Sequence, residues 1–110
     1  MVTIPIVTCE NFEYNTGNGI LDVEKYSNGK FYMYGTLLVA SSNLGVLNIK
    51  PPFTMSRWGC AVTPNYSNYP DLIASASLTS ESIRIDLTKN GRGTPEMDNN
   101  VNIVVIGRWK

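Results

Sequence analysis

Histidine is missing from this 110-residue chain altogether. Its absence removes histidine general bases, serine–histidine triads and most zinc sites. Cysteine is scarce: Cys9 and Cys60 are the only two, too few for a disulfide framework or a structural zinc site. We read both as free, buried thiols, Cys60 in an apolar strand where a free cysteine acts as a small hydrophobe. Charge is sparse as well, at 16% of residues, and nine basic against nine acidic side chains leave a formal net charge of zero. The basic residues do not cluster, so a phosphate-tracking surface for nucleic acid is not expected. No apolar run approaches the roughly 20 residues of a membrane helix, and residues 1–10 lack the basic start and long apolar centre of a secretory signal. The carboxylates, among them Asp71, Glu81, Asp86, Glu96 and Asp98, scatter through turns and strand faces. A glycosidase needs two of them held a fixed distance apart across a cleft, and solvated surface charge is the simpler reading. We expect no catalysis, no cofactor and no metal.

What is present is a polar, uncharged palette rich in Asn, Ser, Thr, Gly and Tyr, patterned as strands and turns with almost no helix. A length of 110 residues fits one domain. Residues 1–22 read as an N-terminal strand within the β-branched run 3–8, followed by an Asn- and Gly-rich connecting loop over 11–19. Residues 24–34 read as a hairpin whose Asn28-Gly29 pair suits the two positive-φ positions of a type I′ turn. Residues 45–50 form a short strand stopped by Pro51-Pro52, and residues 58–63 another, ended by Pro64, because proline cannot donate to a ladder. A second hairpin spans 72–87: Ala74, Ala76 and Leu78 alternate with serine and threonine, then Ile83, Ile85 and Leu87 alternate with Arg84 and Asp86, around a turn at 79–82. A long polar loop over 88–100 leads into the last strand. About seven to eight short strands with regular turn signals predict an all-β, antiparallel β-sandwich.

The last ten residues, VNIVVIGRWK, break the rule that a half-buried strand alternates apolar and polar side chains. Val101, Ile103, Val105 and Trp109 share one face, while Asn102, Val104, Ile106 and Arg108 share the other. Val104 and Ile106 therefore put apolar surface where water would be expected. In a domain this small, which buries little more than about 60% of its unfolded surface, the simplest cover is another copy of the chain. Val104 and Ile106 are the expected oligomer interface.

With catalysis set aside, recognition remains, and the loops suit it. Residues 64–71 combine Tyr66 and Tyr69 with Asn65, Asn68 and Asp71. Tyrosine and asparagine give contact area and adaptable hydrogen bonding at modest entropic cost. Saccharides present apolar ring faces edged by hydroxyls, so an aromatic ring beside an amide or acid is a fitting platform. The plain alternative, that both tyrosines merely cap the end of a sandwich, is as good a reading of the residues alone. Trp58 leans structural but follows Arg57 at a strand start and can sit at a rim. Arg92, Glu96 and Asp98 in the long loop are further candidates. Phe31, Tyr32 and Tyr34 read as strand aromatics that pack a core or an interface.

Three landmarks then occur in order: a Tyr-Ser-Asn-Gly-Lys hairpin followed by Tyr34-Gly35, a Pro52-Phe53 break leading to Ala61-Val62-Thr63-Pro64-Asn65, and the terminal Ile106-Gly107-Arg108-Trp109-Lys110. Together, over residues 23–110, they resemble the C-terminal tip domain of tailed-bacteriophage tail fibres and related receptor-binding proteins. Tyr34 stands where a tryptophan commonly precedes the glycine in that pattern. The resemblance implies a homotrimer of β-sandwich domains at the far end of a fibre, in the virion, binding a glycan or protein on the outside of the bacterial host. Its receptor residues vary in loops, so none is carried over by motif. The chain itself is expected to be the distal fragment of a longer fibre or a small separate tip protein. Three rivals stand beside the receptor-binding reading: a purely structural fibre or assembly module, a cellular carbohydrate-binding or adhesin domain, and a capsule depolymerase.

Overall fold

Alternation along each strand decides which side meets the core, and the fold follows it closely. The computed structural model describes residues 6–66, 72–89 and 98–110. Among these, eight strands are formed: β1 (Cys9–Asn15), β2 (Ile20–Tyr26), β3 (Lys30–Val39), β4 (Val46–Ile49), β5 (Arg57–Tyr66), β6 (Leu72–Leu78), β7 (Ile83–Lys89) and β8 (Asn99–Arg108), with one 3-10 turn at Ser41–Asn43. They make two antiparallel sheets, a five-stranded one in the order β1-β2-β3-β8-β5 and a three-stranded one in the order β4-β7-β6. The all-β, antiparallel expectation is borne out.

The two sheets share one core. Leu21, Val23, Phe31, Met33, Leu37, Val39, Val101, Ile103 and Val105 face inward from the large sheet. Leu47, Ile49, Ile83, Ile85 and Leu87 meet them from the small one, and Met55 fills the space from the connection between β4 and β5. Phe31 packs edge-to-face on Phe53, ring centroids 4.9 Å apart. The hairpin of β6 and β7 pairs Leu78 with Ile83 across a turn that Thr79 closes, its backbone N–H donating to the Ser82 carbonyl at 2.9 Å.

Four expectations need correction. The stretch 11–19 is not all loop: Cys9–Asn15 is strand β1, paired with β2 from Cys9↔Tyr26 to Asn15↔Ile20, and residues 6–8 precede it without strand structure. The asparagines hid a real alternation, since Phe12 and Tyr14 lean on the core while Asn11, Glu13 and Asn15 are exposed. The β2–β3 turn is not type I′, because Asn28 does not take positive φ. The turn has three residues, with the Gly29 N–H donating to the Tyr26 carbonyl at 3.0 Å and Gly29 alone at φ 100°, the three-residue hairpin in which glycine takes the left-handed position. Strand β5 does not end at Pro64 but runs on to Tyr66, shifting register between Pro64 and Tyr66. It can do so because β5 is an edge strand, where a missing N–H removes nothing from the ladder on the open side. Finally, Cys9 is exposed rather than buried, and Cys60 is half-buried.

The two thiols should therefore label differently. Burial pushes the Cys60 thiol up, which lowers its thiolate fraction at neutral pH. Under limiting iodoacetamide at pH 8, Cys9 should be alkylated first and Cys60 only slowly, as read by intact mass and peptide mapping. Equal rates would contradict the packing of Cys60 opposite Val105.

The end of β8 clasps the β2–β3 turn. Arg108 Nη2 donates to the Asn28 carbonyl at 2.8 Å, the Trp109 backbone N–H to the Gly29 carbonyl at 2.8 Å, and the Trp109 indole N–H to the Tyr26 carbonyl at 2.8 Å. Lys25 Nζ lies 4.3 Å from the centre of the Trp109 ring, a cation–π distance. A Cβ on Gly29 would lie 2.7 Å from Arg108 Nη2 and 2.9 Å from the Lys110 carbonyl. Gly29→Ala should cost about 1–2 kcal/mol from the left-handed backbone alone. Thermal unfolding should show it as a fall of roughly 4–8 °C per kcal/mol; an unchanged melting temperature would mean that the turn refolds freely.

Candidate functional site

The outer faces of the two sheets differ in kind. On the small sheet the outward residues are mostly polar: Asn48, Arg84 and Ser77 lie in one transverse row, with Asp86 in the next, and Ile73 on β6 is the exposed apolar exception. Arg84 and Asp86 form the one ion pair among the described residues, at 3.1 Å. Both side chains are substantially exposed, so the pair adds little stability.

The large sheet is otherwise. Its register aligns Tyr32, Ile106 and Gly59 in one row and Tyr34, Val104 and Ala61 in the next. Tyr32 is 37% exposed, Tyr34 41%, Val104 47% and Ile106 48%. Four large apolar side chains on two central strands thus stand together on a face that the described residues leave uncovered, the kind of patch that marks an interaction surface. The odd ending read from the sequence is real: Val101, Ile103 and Val105 are buried, and Val104 and Ile106 are half exposed on the other side. On the neighbouring strands the patch is bordered by acids, since Glu24 pairs with Tyr32, Asp22 with Tyr34, and Glu13 with Asp22.

At one end of this face the register brings Lys30, Arg108 and Arg57 into a single row across β3, β8 and β5. Around that row lies a shallow depression of about 450 Å³ whose lining includes Lys30, Arg57, Trp58, Gly59, Ile106 and Arg108. Trp58 is 40% exposed and stands in register with Gly107 and Phe31, on the alternate side of β5 from Gly59. The two glycines differ. A Cβ on Gly107 would fall 2.0 Å from the Arg57 carbonyl oxygen, so close approach of β5 and β8 demands glycine there. A Cβ on Gly59 would meet only Ile106 Cγ1, at an ordinary 3.7 Å. The Arg108 guanidinium is held by two carbonyls, those of Asn28 and Lys110. Lys30 and Arg57 have no ion pair among the described residues.

The residues singled out from the sequence fare unevenly. Trp58 is 40% exposed near the start of β5. Val104 and Ile106 adjoin each other's rows on the uncovered face. Asn65 and Tyr66 belong to the end of β5, Tyr66 opposite Asn100, and their side chains lie outside the described residues, as do Asn68, Tyr69, Asp71, Arg92 and Glu96 in full. Asp98 is exposed, and its carboxylate accepts the Ser41 backbone N–H at 2.8 Å, holding the 3-10 turn. Sequence reasoning did not single out Lys30, Arg57, Arg108 or Gly59. They come from three strands that are not consecutive, and only the pairing order β3-β8-β5 places them together.

No family model matches the sequence, and no curated protein matches it. Among solved structures, the chain is similar to an N-truncated R2-type pyocin tail fiber, with a TM-score of 0.58 and 14% identity, covering 97% of this chain. It spans 39% of that fibre's chain. At that identity the likeness is one of fold.

Proposed function

We propose that this chain is a receptor-binding tip domain of a bacteriophage-type tail fibre, acting by binding rather than by catalysis. The observation that carries the reading is the uncovered apolar face of the large sheet on a fold similar to that of a tail fiber. In this reading three copies assemble through that face, with Val104 and Ile106 at its centre, and the assembled tip sits at the end of a virion fibre outside the host cell. Apolar centres with polar borders are how protein interfaces are built, and the acids of β1 and β2 and the cations of β3, β5 and β8 supply such a border. The partner is a surface glycan or protein of a bacterial host, met by the Tyr/Asn-rich segment that follows β5 (Asn65, Tyr66, Asn68, Tyr69 and Asp71), with Arg92, Glu96 and Asp98 behind it. Individually weak contacts suffice because several copies engage one cell together.

Two measurements test this. Sedimentation velocity at micromolar concentration should give a trimer, and fluorescently labelled protein should decorate cells of a subset of bacterial strains. A stable monomer would remove the assembly half of the proposal. A trimer that binds no strain and no glycan would favour the structural-module reading instead, and release of reducing sugar from capsule would point to a depolymerase.

A further inference from the structure

We propose that copies of this chain pack side by side in the same direction, with Glu24 and Asp22 of one copy seated over Gly59 and Ala61 of the next and paired with its Arg57. The inference deepens the assembly part of the reading above and rests on it. It names the residues that each copy contributes and the orientation that they impose.

Charge on the outer face of the large sheet is divided across its strands. The outward acids Glu13, Asp22 and Glu24 all lie on β1 and β2, and the apolar patch on β3 and β8 separates them from Arg57 on β5. None of these four side chains has an ion pair among the described residues. Glu24 and Arg57 stand three strand spacings apart, about 14 Å, with Tyr32 and Ile106 between them, so they do not meet within one chain. Arg108 is engaged by the carbonyls of Asn28 and Lys110, which leaves Arg57 as the outermost accessible cation. A single copy thus has charge of both signs unpaired around an uncovered apolar centre. A neighbour set beside it brings its own acid flank to the cation while the apolar centres close on each other, the usual layout of an apolar interface core with a complementary polar rim. In a closed ring each copy supplies one acid flank and one β5 flank, so every contact is of the same kind.

Shape agrees with charge. A strand interior loses stability at a glycine, which packs nothing and restricts the chain less. Close approach explains Gly107, but a Cβ on Gly59 would meet only Ile106 Cγ1 at 3.7 Å. With Ala61 next on the same face, β5 presents a low shelf beside the taller Ile106 and Val104. Room above a strand glycine marks a place where something from outside approaches the backbone, and a neighbour's carboxylates, with Arg57 at the end of the shelf, fit that room. The rows then fix the direction. Next to the row of Lys30, Arg108 and Arg57 comes the row of Glu24, then that of Asp22 and Glu13. Beyond these, Thr36, Asn102 and Thr63 carry no charge. Copies running the same way bring Glu24 within one outward row of Arg57, roughly 7 Å along the strand, a gap that two long side chains span. Copies running oppositely about the centre of the patch set Arg57 level with the uncharged row instead.

The test uses the full chain, with association read by sedimentation and the fold followed by circular dichroism. At low salt, Arg57→Glu and Glu24→Arg should each weaken association about tenfold or more. The variant carrying both changes, in which the two charges are exchanged, should recover most of the loss. The effect of each single change should shrink as salt rises. Should either reversal unfold the chain, Arg57→Gln and Glu24→Gln take its place, each expected to flatten the salt dependence of association. Orientation is read by cross-linking in a chain freed of its native thiols by Cys9→Ser and Cys60→Ala. Glu24→Cys and Gly59→Cys lie in one row three strands apart, beyond the reach of a short bismaleimide within one copy. Together they should give covalent trimers on a denaturing gel, and each alone should leave monomers.

Undiminished association in both single variants, or an exchanged variant as weak as either one, would overturn the inference. A parent that trimerises and decorates host cells, yet gives no covalent trimers, would also overturn it and leave the receptor-binding reading standing. A parent that sediments as a stable monomer would take down this inference and the assembly half of that reading together.

Discussion

Replacing Phe31 by alanine should leave the domain mostly unfolded under conditions where the parent is stable. Phe31 is fully buried near the start of β3, between Lys25 of β2 and Gly107 of β8. Its ring meets Phe53 edge-to-face at 4.9 Å and an interplanar angle of 69°, which ties the connection after β4 to the large sheet. Truncating a buried phenylalanine to alanine costs about 3–5 kcal/mol through lost transfer energy and the cavity left behind. Domains of this size have a total of roughly 5–15 kcal/mol, and a small one lies toward the lower end, so the loss takes most of it. In urea, the midpoint should fall by more than half with an unchanged slope. Phe31→Leu should retain most of the stability, because it keeps most of the volume. A midpoint unmoved by the alanine change would mean that the core does not depend on this ring.

The second large effect concerns assembly rather than folding. On the assembly proposed above, Val104→Asp and Ile106→Asp should each give a chain that folds but does not associate. Both side chains are about half exposed in the single chain, so a carboxylate there keeps its water and the β8 pairings with β3 and β5 are untouched. Placed within an apolar interface, the same carboxylate loses its hydration, which costs several kcal/mol where no cation pairs it. In a closed ring the penalty recurs at every copy, since each presents the same substitution. An effect of about 4 kcal/mol per contact corresponds to roughly a thousandfold weaker association. Sedimentation should therefore show monomer at concentrations where the parent forms the proposed trimer, with the far-ultraviolet circular dichroism unchanged. Val104→Thr, which keeps the branched shape without charge, should remain assembled. Trimers of undiminished strength in both aspartate variants would show that a different surface joins the copies.

Legibility of the sequence tracked how far each signal reaches along the chain. The β6–β7 hairpin was readable because its alternation is complete and its partners are near: Leu78 meets Ile83 five residues later. Strand β8 was readable from its β-branched run alone, although its partners β3 and β5 lie far back in the chain. Strand β1 was not, because Asn11, Asn15 and the nearby glycines carry loop propensity that outweighed the Phe12 and Tyr14 alternation. Pro64 misled because proline's effect depends on whether a strand lies at an edge, and position in a sheet is a property of the whole fold. The β2–β3 turn misled for a related reason. Asn28-Gly29 fits a two-residue turn locally, but the carbonyls of Asn28 and Gly29 are engaged by Arg108 and Trp109 from the far end of the chain. Of the candidate site, Trp58 and the exposed faces of Val104 and Ile106 could be anticipated from the sequence. The cationic row could not, since Lys30, Arg57 and Arg108 meet only through pairings that span most of the chain.

The placement of β8 between β3 and β5 has a consequence for how the molecule comes into being. Synthesis proceeds from the N-terminus, so β3 and β5 leave the ribosome well before the strand that joins them. Until β8 arrives, each presents a ten-residue row of unpaired backbone groups, and such open edges invite pairing with the wrong neighbour. The large sheet cannot close before β8 has been made. Insertion of β8 closes it, lays Arg108 and Trp109 on the waiting β2–β3 turn, and turns Val104 and Ile106 outward together. The finished sheet and its apolar outer face thus come into existence at the same moment.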